Sequence, residues 1–473
     1  MNRFAPLVKI LSQNLHFLYL VYIIPLAYLT ISLTPPYQNP DEPNHLARAE
    51  QVAQFDFVPH FIHTPSTLKD TSLKAFQPDE GGFMTDKGIN LTYQFVDHLN
   101  FRSEVKISGK TLDSARTIKW GQNGTVLKNF GNTAIYPPVV YAMPAFGVAL
   151  GKAFAWPVVK TLYVARSLNA LLAVVLGFLT IKYAKRSKFL LFTGLLVPMI
   201  VSVYCSVTQD ATLISCSFLL IALLDHVENG SRIYQTKHIV AVTALLAIIA
   251  VAKPPYILFA AIVPFLKMDL KAKIIGIAVP LVILFGWIFI NSANFALKFA
   301  PAELHYSSRL QLQYIFGHPF KFMGLFFQFD GSAIRLFFRR MIGILGWLDL
   351  EFAGTYYRVT YYAFVLGFIA FFNRTIKDSL KLRIALFVIT AVTCVAILTA
   401  QYVTWVEYKS PSLGGMQGRY FLPIFPFLAL ALTSAHHWER ENKFKLIVTG
   451  LLMLYPIYTA LTMVSGIVHR YYI

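Results

Sequence analysis

Apolar runs long enough to approach or exceed a bilayer crossing recur along this 473-residue chain, and short clusters of Lys and Arg separate them. Inside hydrocarbon the backbone polar groups have no water to bond, so a spanning segment must be a helix or part of a closed barrel. The runs are continuous rather than alternating, which selects helices. With 56% hydrophobic and 14% charged residues, a soluble chain of this length would lack polar surface. The expected fold class is therefore an all-α integral membrane protein. The formal charge of +19 reads as an orientation signal rather than a nucleic-acid surface. Cys205, Cys216 and Cys394 all lie in apolar stretches and read as buried free thiols.

Five basic clusters set the topology: Lys182–Lys188, Arg232 with Lys237, Lys267–Lys273, Arg374–Arg383 and Arg440–Lys445. The positive-inside rule puts them in the cytoplasm with the N-terminus, so the chain crosses twice between successive clusters. Phe189–Leu224 then forms a hairpin turning at Thr208-Gln209-Asp210. His238–Leu266 forms another, broken at Lys253-Pro254-Pro255. Leu382–Tyr402 leads out, Tyr420–Ala435 leads back, and Ile447–Val468 is the last span. The first run, Phe17–Thr34, lacks a small-residue cleavage site and reads as an uncleaved helix. Tyr136–Phe154 is apolar but carries three prolines, and reads as an outer juxtamembrane or re-entrant helix. Arg309–Tyr357 mixes aromatics with Arg335, Arg339 and Arg340, as amphipathic helices on the outer leaflet would.

The count is about 11 transmembrane helices, or 13 if a hairpin hides within 292–356. The expected organisation is an N-terminus and first helix (1–34), a large outer loop with juxtamembrane helices (35–163), transmembrane helices (164–291), an outer interfacial segment (292–356) and C-terminal transmembrane helices (357–473). The loop after the first span carries 11 of the chain's 23 acidic residues between Asp41 and Asp113. Gly81-Gly82, Gly121 and Gly124 mark turns in it. The chain has no Gly-rich phosphate loop, which argues against a nucleotide-driven pump.

The sharpest local motif is Asn39-Pro40-Asp41-Glu42-Pro43-Asn44-His45, two carboxylates bracketed by prolines just beyond the first span. Proline fixes its own dihedral and restricts its predecessor, so the turn is stiff. Asp41 and Glu42 suit a general base or a metal ligand; equally, Asp there can simply cap the short amphipathic helix expected over Leu46–Gln54. Asp210 is the only charged residue between Phe189 and Leu224. An acid at a membrane hairpin is costly and is a functional candidate, or else a cap at the outer turn. Lys253 and Arg419 are cations at helix ends on the same expected face. They suit a phosphate, although snorkelling to the interface would also place them there. His60 and His63 read as solvated loop histidines.

Taken in order, these pieces are similar to a known family: Pro40-Asp41-Glu42-Pro43-Asn44-His45, Tyr136-Pro137-Pro138, Ala165-Arg166 opening a span, Asp210, Lys253-Pro254-Pro255-Tyr256, and Gln417-Gly418-Arg419-Tyr420-Phe421-Leu422-Pro423. Across nearly its whole length the chain resembles a bacterial family of multispan membrane proteins that is itself similar to the C-type glycosyltransferases. Protein mannosyltransferases and lipid A aminoarabinose transferases belong to that wider group. The resemblance implies a polyprenyl phosphate sugar donor, a catalytic acid at Asp41 or Glu42, and a supporting acidic or metal-binding position at Asp210. It leaves open whether a divalent cation, Mg or Mn, takes part. Lys253 and Arg419 would hold the donor phosphate, and His45, Arg48, Tyr136, Tyr256, Gln417 and Tyr420 would contact substrate.

The function expected is transfer of the sugar to a glycan, lipid or protein acceptor of the cell envelope, on the outer face of a bacterial inner membrane, with inversion. Two other functions fit a multispan chain of this kind: a transporter or flippase for lipid-linked sugars, and a non-catalytic subunit of an envelope assembly complex. A transporter would place its charges at the midplane between two related halves.

Overall fold

A computed structural model describes residues 4–58, 60–62, 80–229, 233–294, 307–372, 380–414, 417–433 and 443–473. Arg232, Arg374, Lys377, Arg440 and His63, which figure in the expectations above, lie outside the described residues. The chain is mainly helical. Among the described residues six helices are long and apolar enough to cross a membrane: Leu15–Leu33, Val158–Tyr183, Asp210–Glu228, Leu270–Asn291, Leu380–Trp405 and Lys443–Tyr471. Thr236–Ala252, Pro254–Phe265 and Gly418–Leu432 are shorter apolar helices.

Helix boundaries fall where local chemistry requires them. The stretch from Phe189 to Leu224 resolves into Lys188–Leu195, Pro198–Tyr204 and the helix that starts at Asp210. Lys253 is extended (φ −150°, ψ 114°), as the residue before a proline should be, and a 3-10 helix follows from Pro254. The Ala142–Ala153 helix rises about 18 Å at 1.5 Å per residue, well short of the ~30 Å of hydrocarbon. Ser308–Gly317, Pro319–Leu325 and Gly331–Gly343 are likewise short, and Phe316, Phe320 and, between the last two, Phe327 are exposed.

The two ends of the bundle carry different chemistry. At one end Lys188 Nζ donates to Ser12 O (2.9 Å), tying the short Phe4–Gln13 helix that precedes the first span to a basic turn. Asp225 accepts from the backbone amides of Lys185, Arg186 and Ser187 there, and Lys267 pairs with Glu228 at 3.7 Å. At the opposite end gather the Asp41 turn, the Ser206–Asp210 turn, Lys253 and Arg419.

The large loop departs from the all-α expectation. His60–Ile62, Glu80–Asp86 and Thr125–Asn129 form a three-stranded antiparallel sheet, with Gly82 opposite both His60 and Asn129. Gly121 and Gly124 lead into the third strand with φ of +77° and +73°, a backbone that a side chain would strain. The loop is no separate domain: Tyr37, Leu46, Ile89, Trp120 and Phe130 share one buried cluster with Val158, Leu162 and Leu213 of the long helices. Its helix Glu42–Ala53 is buried on nearly every side rather than amphipathic, because the sheet and the Ala142–Ala153 helix cover it.

The loop is also fastened from far along the chain. Arg470 donates to Leu99 O (2.7 Å) and Val105 O (2.8 Å) and pairs with Asp349 at 2.6 Å. Lys106 Nζ donates to His469 O at 2.6 Å.

Candidate functional site

The Asp41-Glu42 turn separates its two carboxylates. Asp41 has a left-handed backbone (φ 60°, ψ 8°) at the N-cap position of its helix, yet its side chain makes no capping bond. It accepts instead from Asn132 Nδ2 at 3.2 Å and faces Arg419 Nη2 at 3.7 Å. Glu42 turns the other way and is fully buried. Arg166 grips it with two bonds, Nε to Oε1 at 2.8 Å and Nη2 to Oε2 at 2.6 Å. The same guanidinium donates to Thr34 O and Pro35 O, and Val207 N donates to Glu42 Oε1 at 3.1 Å. Glu42 therefore joins the first helix, the Val158–Tyr183 helix and the Ser206–Asp210 turn. Between the two acids that the sequence left open, Asp41 faces a cavity and Glu42 is enclosed in an ion pair.

Asp210 anchors a second constellation. Lys253 Nζ bonds its Oδ1 at 3.0 Å, and Arg419 Nε lies 3.5 Å from its Oδ2. Asp41 and Asp210 thus approach each other through a shared Arg419. Gln209 donates to Asp210 Oδ1 at 3.1 Å, and Asn169 holds the turn by donating to Ser206 O and Thr208 O. Lys253 sits 3.8 Å above the centre of the Tyr420 ring, and the Tyr256 hydroxyl donates to Tyr420 O. Arg419 Nε is buried with no hydrogen-bond partner, so its contacts to the two carboxylates are loose ion pairs.

A cavity of about 710 Å³ opens on this cluster. Asp41, His45, Tyr136, Gln209, Lys253 and Arg419 line its polar part. Pro254–Leu258, Leu312 and the face of Leu380–Trp405 that carries Ala396, Ile397, Ala400 and Val403 line the rest. Charged head and apolar trough are continuous.

The polar walls tune the groups they hold. Burial pushes the Asp41 carboxyl above the usual 3.8; Arg419 opposes this, while Asp210 adds to it. Burial first, and then the charge of Arg419, pushes His45 down to about 3, so its ring is neutral. His45 Nδ1 meets the Tyr141 hydroxyl at 2.6 Å. Burial also raises the Tyr136 and Tyr141 phenols well above 10.0, which keeps them protonated.

Of the residues expected to contact substrate, His45, Tyr136, Tyr256 and Tyr420 line the cavity. Arg48 does not: it is buried, bonded to Tyr136 O, Phe57 O and Gln51 Oε1, and braces the loop. Gln417 lines a separate crevice of about 30 Å³, beside Asn39 and Arg340, with Arg419 forming the shared wall. Sequence reasoning gave no role to Asn132, Tyr141, Asn169 or Gln209, and left Arg166 as a motif residue only. An arginine two turns inside an apolar span is costly, and that cost is the signal for Arg166. The other four are neutral and give no such signal.

A divalent cation finds no ready ligand set. Among the described residues no three His, Cys, Asp or Glu side chains gather to hold one. The two nearest carboxylates, Asp41 and Asp210, are already neutralised by Arg419 and Lys253. His60 bonds Asp56 at 2.6 Å on an exposed edge. The three cysteines are free thiols.

Comparison with known proteins finds no match among curated proteins and none among solved structures. A family match covers residues 25–428, which takes in every residue of the cluster around Asp41, Asp210, Lys253 and Arg419. The chain belongs to the family described as Predicted membrane protein (DUF2142).

Proposed function

We propose that the chain is a membrane glycosyltransferase that moves a sugar from a polyprenyl phosphate donor to a glycan, lipid or protein acceptor of the cell envelope. The observation that supports this best is the cavity in which a carboxylate, Asp41, and two cations, Lys253 and Arg419, line a polar head that runs into an apolar trough. A lipid phosphate sugar has those two parts in that order. In this reading the isoprenoid lies along Ala396–Val403, and its phosphate approaches Arg419 and Lys253. The acceptor oxygen bonds to the anomeric carbon as the bond from that carbon to the phosphate oxygen breaks, and the acceptor proton passes to Asp41. The charge left on the polyprenyl phosphate is met by Arg419, whose Nε has only a loose ion pair with Asp210 and no hydrogen bond. Attack opposite the departing phosphate inverts the sugar carbon. Glu42 and Arg166 position the turn. No metal is used in this scheme.

About 11 transmembrane helices, or 13, with the Asp41 end on the outer face of a bacterial inner membrane, complete the proposal. The basic end at Lys185–Lys188 and Lys267 supports that orientation. Ser103 is exposed on the loop, and Ser103→Cys should react with an impermeant maleimide in intact cells. Reaction only after permeabilisation would reverse the orientation.

The direct test incubates purified protein with a panel of polyprenyl phosphate monosaccharides and follows free polyprenyl phosphate by mass spectrometry. Sugar-dependent release is expected for at least one donor. Arg419→Gln should weaken donor binding roughly 10- to 100-fold, the scale of a hydrogen bond to a charged group. Arg419→Lys should recover only part of it, since the ammonium lacks the planar fork. Donor that binds and crosses vesicles without release would make the protein a transporter. Donor that does not bind at all would leave it an assembly subunit.

A further inference from the structure

A second cavity system lies away from this cluster, between Leu15–Leu33 and Val158–Tyr183. Its deeper part, about 550 Å³, runs between Ile24, Tyr28 and Ile31 on one helix and Ser167, Leu171 and Val174 on the other. Its outer part, about 430 Å³, is lined by Lys160 and Val164, and both parts share Arg116, Tyr163 and Ser167. Small side chains at Ala27, Ser167 and Ala170 keep the floor low. From Tyr163 to Val174 the groove descends about 16 Å at 1.5 Å per residue. That is close to half of the ~30 Å hydrocarbon thickness, the depth of one acyl chain.

The groove's charge is confined to one end. Arg116 borders both parts, and among the described residues its ion pair is an exposed one with Asp113 at 3.1 Å, the kind that contributes little. Lys160 stands 4.2 Å above the centre of the Trp156 ring, with Phe154 stacked on that indole. Two cations, Lys160 over a half-buried indole and Arg116 beside Tyr163, above an apolar slot one acyl chain deep, complement a phosphate headgroup with its tail. In a membrane protein the solvent on this face is lipid. We propose that this groove is a binding site for an anionic phospholipid, its phosphate held by Arg116 and Lys160 and one acyl chain lying between Ile24 and Val174. The site is distinct from the cavity at Asp41 and does not depend on its chemistry.

Each cation near a membrane surface strengthens anionic-lipid binding about fivefold, so two should favour phosphatidylglycerol over phosphatidylcholine by about 25-fold. Native mass spectrometry of the full chain in detergent, titrated with each lipid, reads that ratio from the adduct populations. Arg116→Gln with Lys160→Gln should bring it close to one. Ser167→Trp, which fills the slot and keeps both cations, should reduce both adducts. Equal retention of the two lipids by the unaltered protein would overturn the proposal, as would a preference that survives the double substitution. Polyprenyl phosphate is the competing source of the same headgroup chemistry. If it displaced phosphatidylglycerol from the unaltered protein but not from Arg419→Gln, the lipid would belong to the Asp41 cavity and the groove assignment would fail.

Discussion

Asp41→Asn is expected to lower sugar transfer by about 10²–10⁴-fold while donor binding stays close to that of the unaltered protein. The amide keeps the shape and the Asn132 contact but cannot take a proton, and a positioned base contributes on that scale. Transfer should also respond to pH in one direction. Burial holds the Asp41 carboxyl above 3.8, and only the deprotonated form acts as a base. Activity should therefore fall with acidification through a pH above 3.8, not at it. Full transfer by Asp41→Asn, measured on purified protein with saturating donor, would remove Asp41 from the chemistry.

Loss of Arg166 should act on the fold rather than on the reaction step. Arg166→Met leaves the Glu42 carboxylate buried without a counter-ion, and breaking a fully buried pair typically costs about 3–5 kcal/mol. Thermal unfolding in detergent should show a large drop for Arg166→Met and for Glu42→Gln. The double variant Arg166→Met with Glu42→Met should recover much of it, because no lone charge remains. A double variant no better than either single would mean that the bonds to Thr34 O, Pro35 O and Val207 N, rather than the buried charge, set the cost. These two expectations separate neighbours in sequence: Asp41 by its effect on rate, Glu42 by its effect on stability.

Much of the site was legible in the sequence because membranes make charge conspicuous. Asp210, Lys253 and Arg419 stand out as rare ions at the ends of apolar runs, and the breaks at Thr208–Asp210 and Lys253–Pro255 follow from caps and prolines. That two adjacent acids on a stiff turn point different ways was legible, but the pairing of Glu42 with Arg166 was not, since it depends on a positive φ at Asp41 and on an arginine 124 positions away. Arg48 looked like a ligand for substrate because its sequence does not reveal that the loop folds back over it. Asn132, Tyr141 and Gln209 are ordinary polar residues, and only three-dimensional proximity brings them to the cavity. The sheet escaped notice because its strands are only three to seven residues long and the middle one carries a glycine pair that reads as a turn.

The fastening of the large loop by Arg470 has a temporal consequence. The carbonyl of Val105 leaves the ribosome 365 residues before the guanidinium that binds it. At ~5–20 residues per second, that interval is roughly 20–70 s. Through that time one side of the loop stands undocked, and its link to Asp349 and the last helix is a late event in biogenesis. A membrane insertase or a chaperone would meet the chain in this half-assembled form. The cavity's final shape would be set only when the last helix is threaded.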